Sequence, residues 1–314
     1  MGPIRLSARP DPAEAPETAA RPRLSRIEAV VNTASGSVGR DAPKALKALM
    51  AEAGATCRVT ACASSKLERV LRAAIDRAPD LLVVLAGDGT ARTAAQLAGM
   101  DGPPIAPLAG GTMNLLPHAI YGARPWEEAL RDTLSVGVET PLAGGVLDGR
   151  LFLVAAVVGA PALWAPAREA ARERKPREAL SHALEALDRS FGDPLLYALD
   201  DGPRSATEAL VLICPRASRV LDDTEPALEA EALNLRGAGE AFRLGITALT
   251  GDWRMDPAVE GRLCRVAHIW AEGGAPALVD GELIQISQLA EARFVPAVCR
   301  VIAPPRPKPQ TREP

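Results

Sequence analysis

The stretch from Asp80 to Thr90 constrains the fold of this 314-residue chain more than any other. Five consecutive apolar residues, Leu81 to Leu85, predict a strand that is buried on both faces, as the strands of parallel sheets are. A tight turn, Gly87-Asp88-Gly89-Thr90, follows, and residues 91–98 predict a short helix. Glycines let a backbone close around a bound group and point N–H donors at it, and the positive end of a helix adds to the attraction. Two interpretations are open: an ordinary strand-to-helix turn, or a phosphate cradle whose carboxylate suits a nucleotide held with Mg²⁺.

The first half of the folded chain repeats this unit of strand and helix. Apolar or alternating runs predict four strands, at 27–32, 55–62, 81–85 and 104–108. The alternation predicts a parallel sheet with helices on both faces, in which a ligand binds beyond the carboxyl ends of the strands. Small-residue loops leave three strands at that edge, at 33–39, 86–90 and 109–114. We expect these loops to converge on one ligand.

The second half has a different pattern. Aspartate-glycine turns between apolar runs predict β-hairpins, at 148–149, 200–202 and 280–281. We therefore predict an α/β protein: a parallel-sheet nucleotide-binding domain over 26–140, and a mainly antiparallel β-sandwich domain over 141–303 that receives the substrate. The latter carries a helical insertion at 166–191. The proline- and charge-rich ends, 1–25 and 304–314, are expected to be a disordered leader and tail.

Composition narrows the class of protein. A net charge of −3 and a pI near 5.8 argue against nucleic acid as a partner. Five cysteines without a CxxC pair argue against a zinc ribbon and favour a reducing compartment. The sequence contains no run of 18 apolar residues, so it predicts no transmembrane helix. We expect a cytoplasmic protein, with peripheral contact to the inner face of the membrane as a further hypothesis.

Several short motifs, in this order, resemble those of the bacterial diacylglycerol kinase-like lipid kinases, which belong to one superfamily with sphingosine kinases and NAD kinases. The motifs are Asn32-Thr33-Ala34-Ser35-Gly36, Ala86-Gly87-Asp88-Gly89-Thr90, Ala109-Gly110-Gly111-Thr112-Met113-Asn114 and Asp280-Gly281-Glu282. An acidic loop, Leu221-Asp222-Asp223-Thr224 with Glu229, is similar to one that holds a structural Mg²⁺ in some relatives. The chain departs from the family pattern at three positions: Thr33 replaces proline, Ala86 replaces glycine, and Thr224 replaces the glycine of the acidic loop.

The resemblance implies an enzyme that transfers the γ-phosphoryl group of ATP to the hydroxyl of a lipid, such as diacylglycerol or a sphingoid base, at a membrane surface. The implied nucleotide-binding residues are Asn32, Ser35, Gly87, Gly89, Thr90, Gly111, Thr112 and Asn114. Asp88 would hold Mg²⁺, Asp280 would accept the hydroxyl proton, and Glu282 would support it. The acidic-loop carboxylates Asp222, Asp223 and Glu229 would hold a second, structural Mg²⁺.

Three questions stay open at this stage. By its spacing alone, Asp280 is a hairpin turn residue rather than a base, and only the resemblance reverses this. The acceptor could instead be a soluble molecule such as NAD, or the chain could be a nucleotide-binding regulatory protein without turnover. The sequence does not identify the lipid, and a homodimer is compatible with it.

Overall fold

We analysed a computed structural model, which describes residues 22, 24–159, 194–218, 220–222, 225–233 and 259–305. Most of the predicted leader, the predicted helix at 166–191, Asp223 and all but the first two residues of the predicted tail lie outside these ranges. No helix in the described part of the chain is long and apolar enough to cross a membrane.

The first half alternates strands and helices, as its sequence predicts. The elements are β1 (Arg26–Asn32), α1 (Ala42–Glu52), β2 (Thr56–Cys62), α2 (Leu67–Ile75), β3 (Leu81–Ala86), α3 (Asp88–Ala98), β4 (Ile105–Ala109), α4 (Leu115–Tyr121) and α5 (Trp126–Val136). The four strands pair in parallel in the order β2-β1-β3-β4. All six residues of β3 are buried, because the strand lies between two neighbours and its two faces pack within one aliphatic core.

The boundary between β3 and α3 differs from the prediction. The helix begins at Asp88, so the first turn of α3 is formed by Asp88, Gly89 and Thr90. Gly87 is extended, and its carbonyl accepts the amides of Thr90 and Ala91 at 3.0 and 3.1 Å. The predicted tight turn therefore shrinks to one residue, and the rest of the motif lies at a helix N-terminus.

In the second half, the regular elements of the described residues are strands. They are β5 (Val138–Leu147), β6 (Arg150–Phe152), β7 (Ala155–Gly159), β8 (Leu195–Leu199), β9 (Ser205–Thr207), β10 (Ala209–Ile213), β11 (Leu228–Leu233), β12 (Val259–Cys264), β13 (Val266–Trp270), β14 (Ala275–Val279), β15 (Glu282–Ile286) and β16 (Leu289–Ala303). Six of them form an antiparallel sheet in the order β12-β11-β10-β7-β14-β15. A second core, which includes Phe152, Leu210 and Ile269, draws its side chains from both sheets.

The remaining strands extend the parallel sheet instead of forming a sheet of their own. The long strand β16 pairs antiparallel with β5 and β13, and Val301 pairs in parallel with Ile105 of β4. Strand β5 itself spans residue 140. The two halves of the chain therefore share a ten-stranded sheet, and the division near residue 140 stays a prediction.

Candidate active site

Three loops meet at the carboxyl ends of β1, β3 and β4. The amide of Ser37 donates to the carbonyl of Gly110 at 3.2 Å, and its hydroxyl donates to the carbonyl of Gly111 at 2.9 Å. A Cβ placed on Gly36 would lie 3.3 Å from the hydroxyl oxygen of Thr112. Ser37 was not among the predicted site residues, although its contacts join the first and third loops.

Two glycines are required by the close approach of these loops. A Cβ on Gly111 would lie 2.5 Å from the Cα of Gly87, well inside van der Waals contact. A Cβ on Gly110 would lie 2.7 Å from a methyl carbon of Val38 and 2.8 Å from the amide nitrogen of Ala86. The second and third loops can therefore touch only because neither glycine has a side chain.

Gly89 is glycine for a different reason. It is exposed, and a Cβ on it would have no protein atom within 4 Å. It lies in the first turn of α3, where the amides of Asp88 and Gly89 donate to no other described residue, whereas the amide of Thr90 donates to Gly87. Two available amides at a positive helix end, with open space beside Gly89, suit an anion.

The two asparagines shape the loops from inside. Asn114 is buried in a left-handed conformation (φ 52°), accepts the amide of Gly111 at 2.7 Å and donates to its carbonyl at 2.9 Å. Asn32 is buried at the end of β1, where its side-chain oxygen accepts the amide of Ala34 at 3.1 Å. Ser35 lies in the turn that follows Asn32 and is half-buried, whereas Thr112 is exposed.

Asp88 joins α3 to α4. One of its carboxylate oxygens accepts the amide of Leu116 at 2.9 Å, and the side chain is half-buried. No hydrogen bond within the described residues engages the other oxygen. A carboxylate with one committed and one available oxygen can bind a hard cation directly or through water.

Asp280 occupies the turn between β14 and β15 in a left-handed conformation (φ 46°). Its carboxylate accepts three consecutive backbone amides, from Leu153 at 2.7 Å, Val154 at 2.9 Å and Ala155 at 3.1 Å. Burial raises the pKa of Asp280 above its ordinary value, and the three amides and the charge of Arg92 offset this only in part. Asp280 thus anchors the start of β7 and keeps a carboxyl group of raised proton affinity.

The other two hairpin aspartates show how much of this is structural. Asp148 and Asp200 share the left-handed conformation, with φ of 47° and 49°. Asp148 accepts the amide and hydroxyl of Ser287, both at 2.9 Å. Asp200 accepts the backbone amides of Arg265 and Val266, where β12 passes into β13, both at 2.9 Å. Anchoring a neighbouring strand is therefore a repeated use of aspartate in this fold.

The turn that holds Asp280 also approaches the three loops. A Cβ on Gly281 would lie 3.7 Å from side-chain carbons of both Met113 and Leu115, next to the third loop. This contact brings the acceptor motif predicted at 280–282 to the same place as the nucleotide motifs, although the two are almost 170 residues apart in the chain.

Glu282 lies between two arginines. Its carboxylate accepts from Arg92 at 2.5 Å and lies 3.4 Å from the guanidinium of Arg150. The hydrogen bond from Arg92 is the main reason that the pKa of Glu282 is lowered. Arg92 was not among the predicted site residues, although it follows Asp88 by four residues and so lies on the same helix face.

The predicted structural-metal residues are only partly described by the structure. Glu229 is buried in β11, and Asp222 is exposed in the loop after β10. Asp223 lies outside the described ranges, and within those ranges no three metal-binding side chains form a cluster. This ligand set stays a prediction.

Comparison with known proteins finds a family likeness for the first half. Residues 26–140 match the family model of the diacylglycerol kinase catalytic domain. A diacylglycerol kinase from Bacillus anthracis strain Sterne superposes with a TM-score of 0.63 at 14% identity, covering 90% of this chain and 97% of that one. A candidate diacylglycerol kinase from the same strain superposes with a TM-score of 0.67 at 17% identity, covering 90% and 98%. A search of curated proteins found no match. The resemblance inferred from the motifs and the predicted α/β fold class are confirmed.

Proposed function

We propose that this chain, which carries a domain of the diacylglycerol kinase catalytic family over residues 26–140, is an ATP-dependent lipid kinase. The γ-phosphoryl group would pass from ATP to the hydroxyl oxygen of a lipid such as diacylglycerol or a sphingoid base. The bond to the β-phosphate oxygen breaks, the bond to the acceptor oxygen forms, a carboxylate takes the hydroxyl proton, and ADP leaves.

The observation that carries the proposal is the cradle at the first turn of α3. Gly87 and Gly111 hold two loops in contact, while the space in front of Gly89 is open. The amides of Asp88 and Gly89, with the hydroxyl of Thr90, form a donor set suited to phosphate oxygens. Thr112 is exposed in the third loop, next to Gly36 of the first loop, while Asn32 and Asn114 hold the backbone of their loops by hydrogen bonds.

A divalent cation fits the same place. Asp88 has one carboxylate oxygen that no described residue engages, beside the phosphate cradle, and hard oxygen donors of this kind suit Mg²⁺. Mg²⁺ bound there would neutralise the negative charge of the phosphates. One oxygen of Asp88 would hold the cation, while the other accepts the amide of Leu116 and so fixes the start of α4 next to α3.

The acceptor hydroxyl would lie near the hairpin of Asp280 and Glu282. Asp280 offers a carboxyl group of raised pKa, but three amides occupy most of its acceptor sites. Glu282 is half exposed and ionised beside Arg92. We assign proton acceptance to Asp280, with Glu282 as its supporting carboxylate, and separate the anchoring role of Asp280 from its chemical role by a matched variant below.

The test is ATP consumption with three acceptors: vesicles that contain diacylglycerol, mixed micelles that contain a sphingoid base, and NAD in solution. The proposal predicts Mg²⁺-dependent turnover with at least one of the two lipids and none with NAD. Turnover with NAD alone would reject the lipid acceptor and leave a kinase of a soluble substrate. ATP binding without turnover on any acceptor would favour a regulatory protein.

A further inference from the structure

Arg92 is an enclosed cation at the junction of the two motifs. Its side chain is 17% exposed, although it belongs to the helix that begins with the phosphate cradle. It follows Asp88 by four residues, so the two side chains lie one helical turn apart on one face. Its guanidinium reaches Glu282, which is 190 residues later in the chain.

The charge of Arg92 acts on both acceptor carboxylates. The hydrogen bond from Arg92 is the main cause of the lowered pKa of Glu282, the charge of Arg92 lowers it further, and the same charge is among the causes that lower the pKa of Asp280. Arg92 belongs to α3, whose N-terminus forms the phosphate cradle, and its guanidinium contacts the hairpin of Glu282. It therefore lies between the donor and the acceptor sides of the site.

The guanidinium is only partly committed. Arginine has five N–H donors, and within the described residues its recorded hydrogen bond is the single one to Glu282 at 2.5 Å. Glu282 also has a second cation, Arg150, at 3.4 Å. Arg92 can therefore turn donors towards a new anion while Glu282 keeps a counter-charge.

We propose that Arg92 contacts the transferring phosphoryl group, as an arginine supplied from within the chain. The inference rests on the proposed function and adds a residue that contacts the reacting atoms. Phosphoryl transfer depends mainly on positioning and on neutralising charge spread over the equatorial oxygens. The planar fork of arginine matches two of those oxygens, and its position beside both carboxylates lets it bridge donor and acceptor.

The alternative role of Arg92 is a structural tie that only holds the hairpin of Glu282 against α3. The two roles differ in what Glu282→Gln should do. If Arg92 is only a tie, Arg92→Gln and Glu282→Gln remove the same ion pair and have the same effect. If Arg92 contacts the phosphoryl group, only Arg92→Gln removes that contact.

The test compares binding of Mg-ADP alone with binding of Mg-ADP plus aluminium fluoride, which mimics the transferring phosphoryl group. We expect the parent chain to bind the mimic complex more tightly than Mg-ADP. In Arg92→Gln, the affinity for the mimic complex should fall by at least about 10-fold, whereas the affinity for Mg-ADP should stay as in the parent. Glu282→Gln and the matched control Arg150→Gln should both keep the gain. With lipid acceptor, kcat of Arg92→Gln should fall about 10³-fold, the lower end of the effect of such arginines.

Thermal unfolding checks that each variant is folded. If Arg92→Gln does not fold, Arg92→Lys keeps the charge without the planar fork and should lose most of the gain. A full gain in either folded variant, or an equal loss in Glu282→Gln, would overturn the inference and leave the proposed function standing. A parent chain that binds no Mg-ADP would refute the nucleotide site, and the inference with it.

Discussion

Replacing Gly89 by valine separates the cradle from the fold. A side chain at this position would meet no protein atom within 4 Å, and the residue lies in a helix without a positive φ. Valine and glycine differ in helix propensity by less than about 0.5 kcal/mol, so the free energy of unfolding should hardly change. The same branched side chain would project into the open space beside Gly89, at the N-terminal end of α3, where we expect the phosphates to bind.

The expected loss is in nucleotide affinity. One hydrogen bond to a charged phosphate contributes about 1.5–3 kcal/mol. Losing one therefore raises the Kd for Mg-ATP by about 10- to 150-fold. Calorimetric titration with Mg-ATP measures the affinity, and urea unfolding measures the stability of the same preparation.

Two other variants complete this experiment. Gln96→Val places the same side chain at an exposed position of α3 away from the cradle and should bind Mg-ATP as the parent does. Gly111→Ala adds a carbon 2.5 Å from the Cα of Gly87, so the loops must move apart at a cost of about 1–3 kcal/mol of stability. Unchanged Mg-ATP affinity in a folded Gly89→Val chain would place the nucleotide elsewhere and refute the reasoning.

Four further variants test other carboxylates. Asp88→Asn keeps an oxygen that can accept the α4 amide, so it should fold but lose most of kcat; a near-parental kcat would remove Asp88 from the metal site. Asp280→Asn and its matched control Asp148→Asn each weaken a strand anchor, and each should lower the free energy of unfolding by about 1–3 kcal/mol. Only Asp280→Asn should also lower kcat, by about 10²–10⁴-fold, and its affinity for ATP should not change. Equal kcat in the two would reduce Asp280 to a turn residue. The hydroxyl of Ser25 lowers the pKa of Asp80 most, and backbone amides lower it further. The Asp80 carboxylate therefore stabilises the fold fully at pH values above its ordinary pKa, and this stabilisation is lost as the pH falls through the folded-state pKa. The loss of unfolding free energy in Asp80→Asn should therefore be full at pH 7 and vanish in strong acid, and a loss that is constant with pH would contradict this.

Local patterns account for what the sequence could predict. The uninterrupted run of β3 reflects burial on both faces, and the aspartate-glycine turns reflect left-handed backbone at Asp148 and Asp280. Because parallel strands end at one edge, the meeting of their three loops also followed from the order of the elements.

Long-range pairing was outside the reach of such patterns. Nothing in the composition of β16 indicates that it pairs with β4 and β5 and so joins the two halves in one sheet. The structural use of Asp280 was likewise hidden, because its partners at 153–155 are more than 120 residues earlier.

Arg92 shows the same limit at the site itself. A charged residue in a short helix is usually a solvated side chain, and only the fold brings Glu282 to it. Spacing from Asp88 was the one available signal, and it acquires meaning only when the hairpin of Asp280 and Glu282 is known to pack beside α3.

The central claim is that this site moves a phosphoryl group from ATP to a lipid hydroxyl. It is tested most directly by incubating the full chain with γ-labelled ATP, Mg²⁺ and a total lipid extract, then separating the organic and aqueous phases. The account predicts label in a lipid of the organic phase with the parent chain, and none with Asp88→Asn. Label found only in the aqueous phase, as ATP, inorganic phosphate or a phosphorylated soluble acceptor, and none in the organic phase, would contradict it.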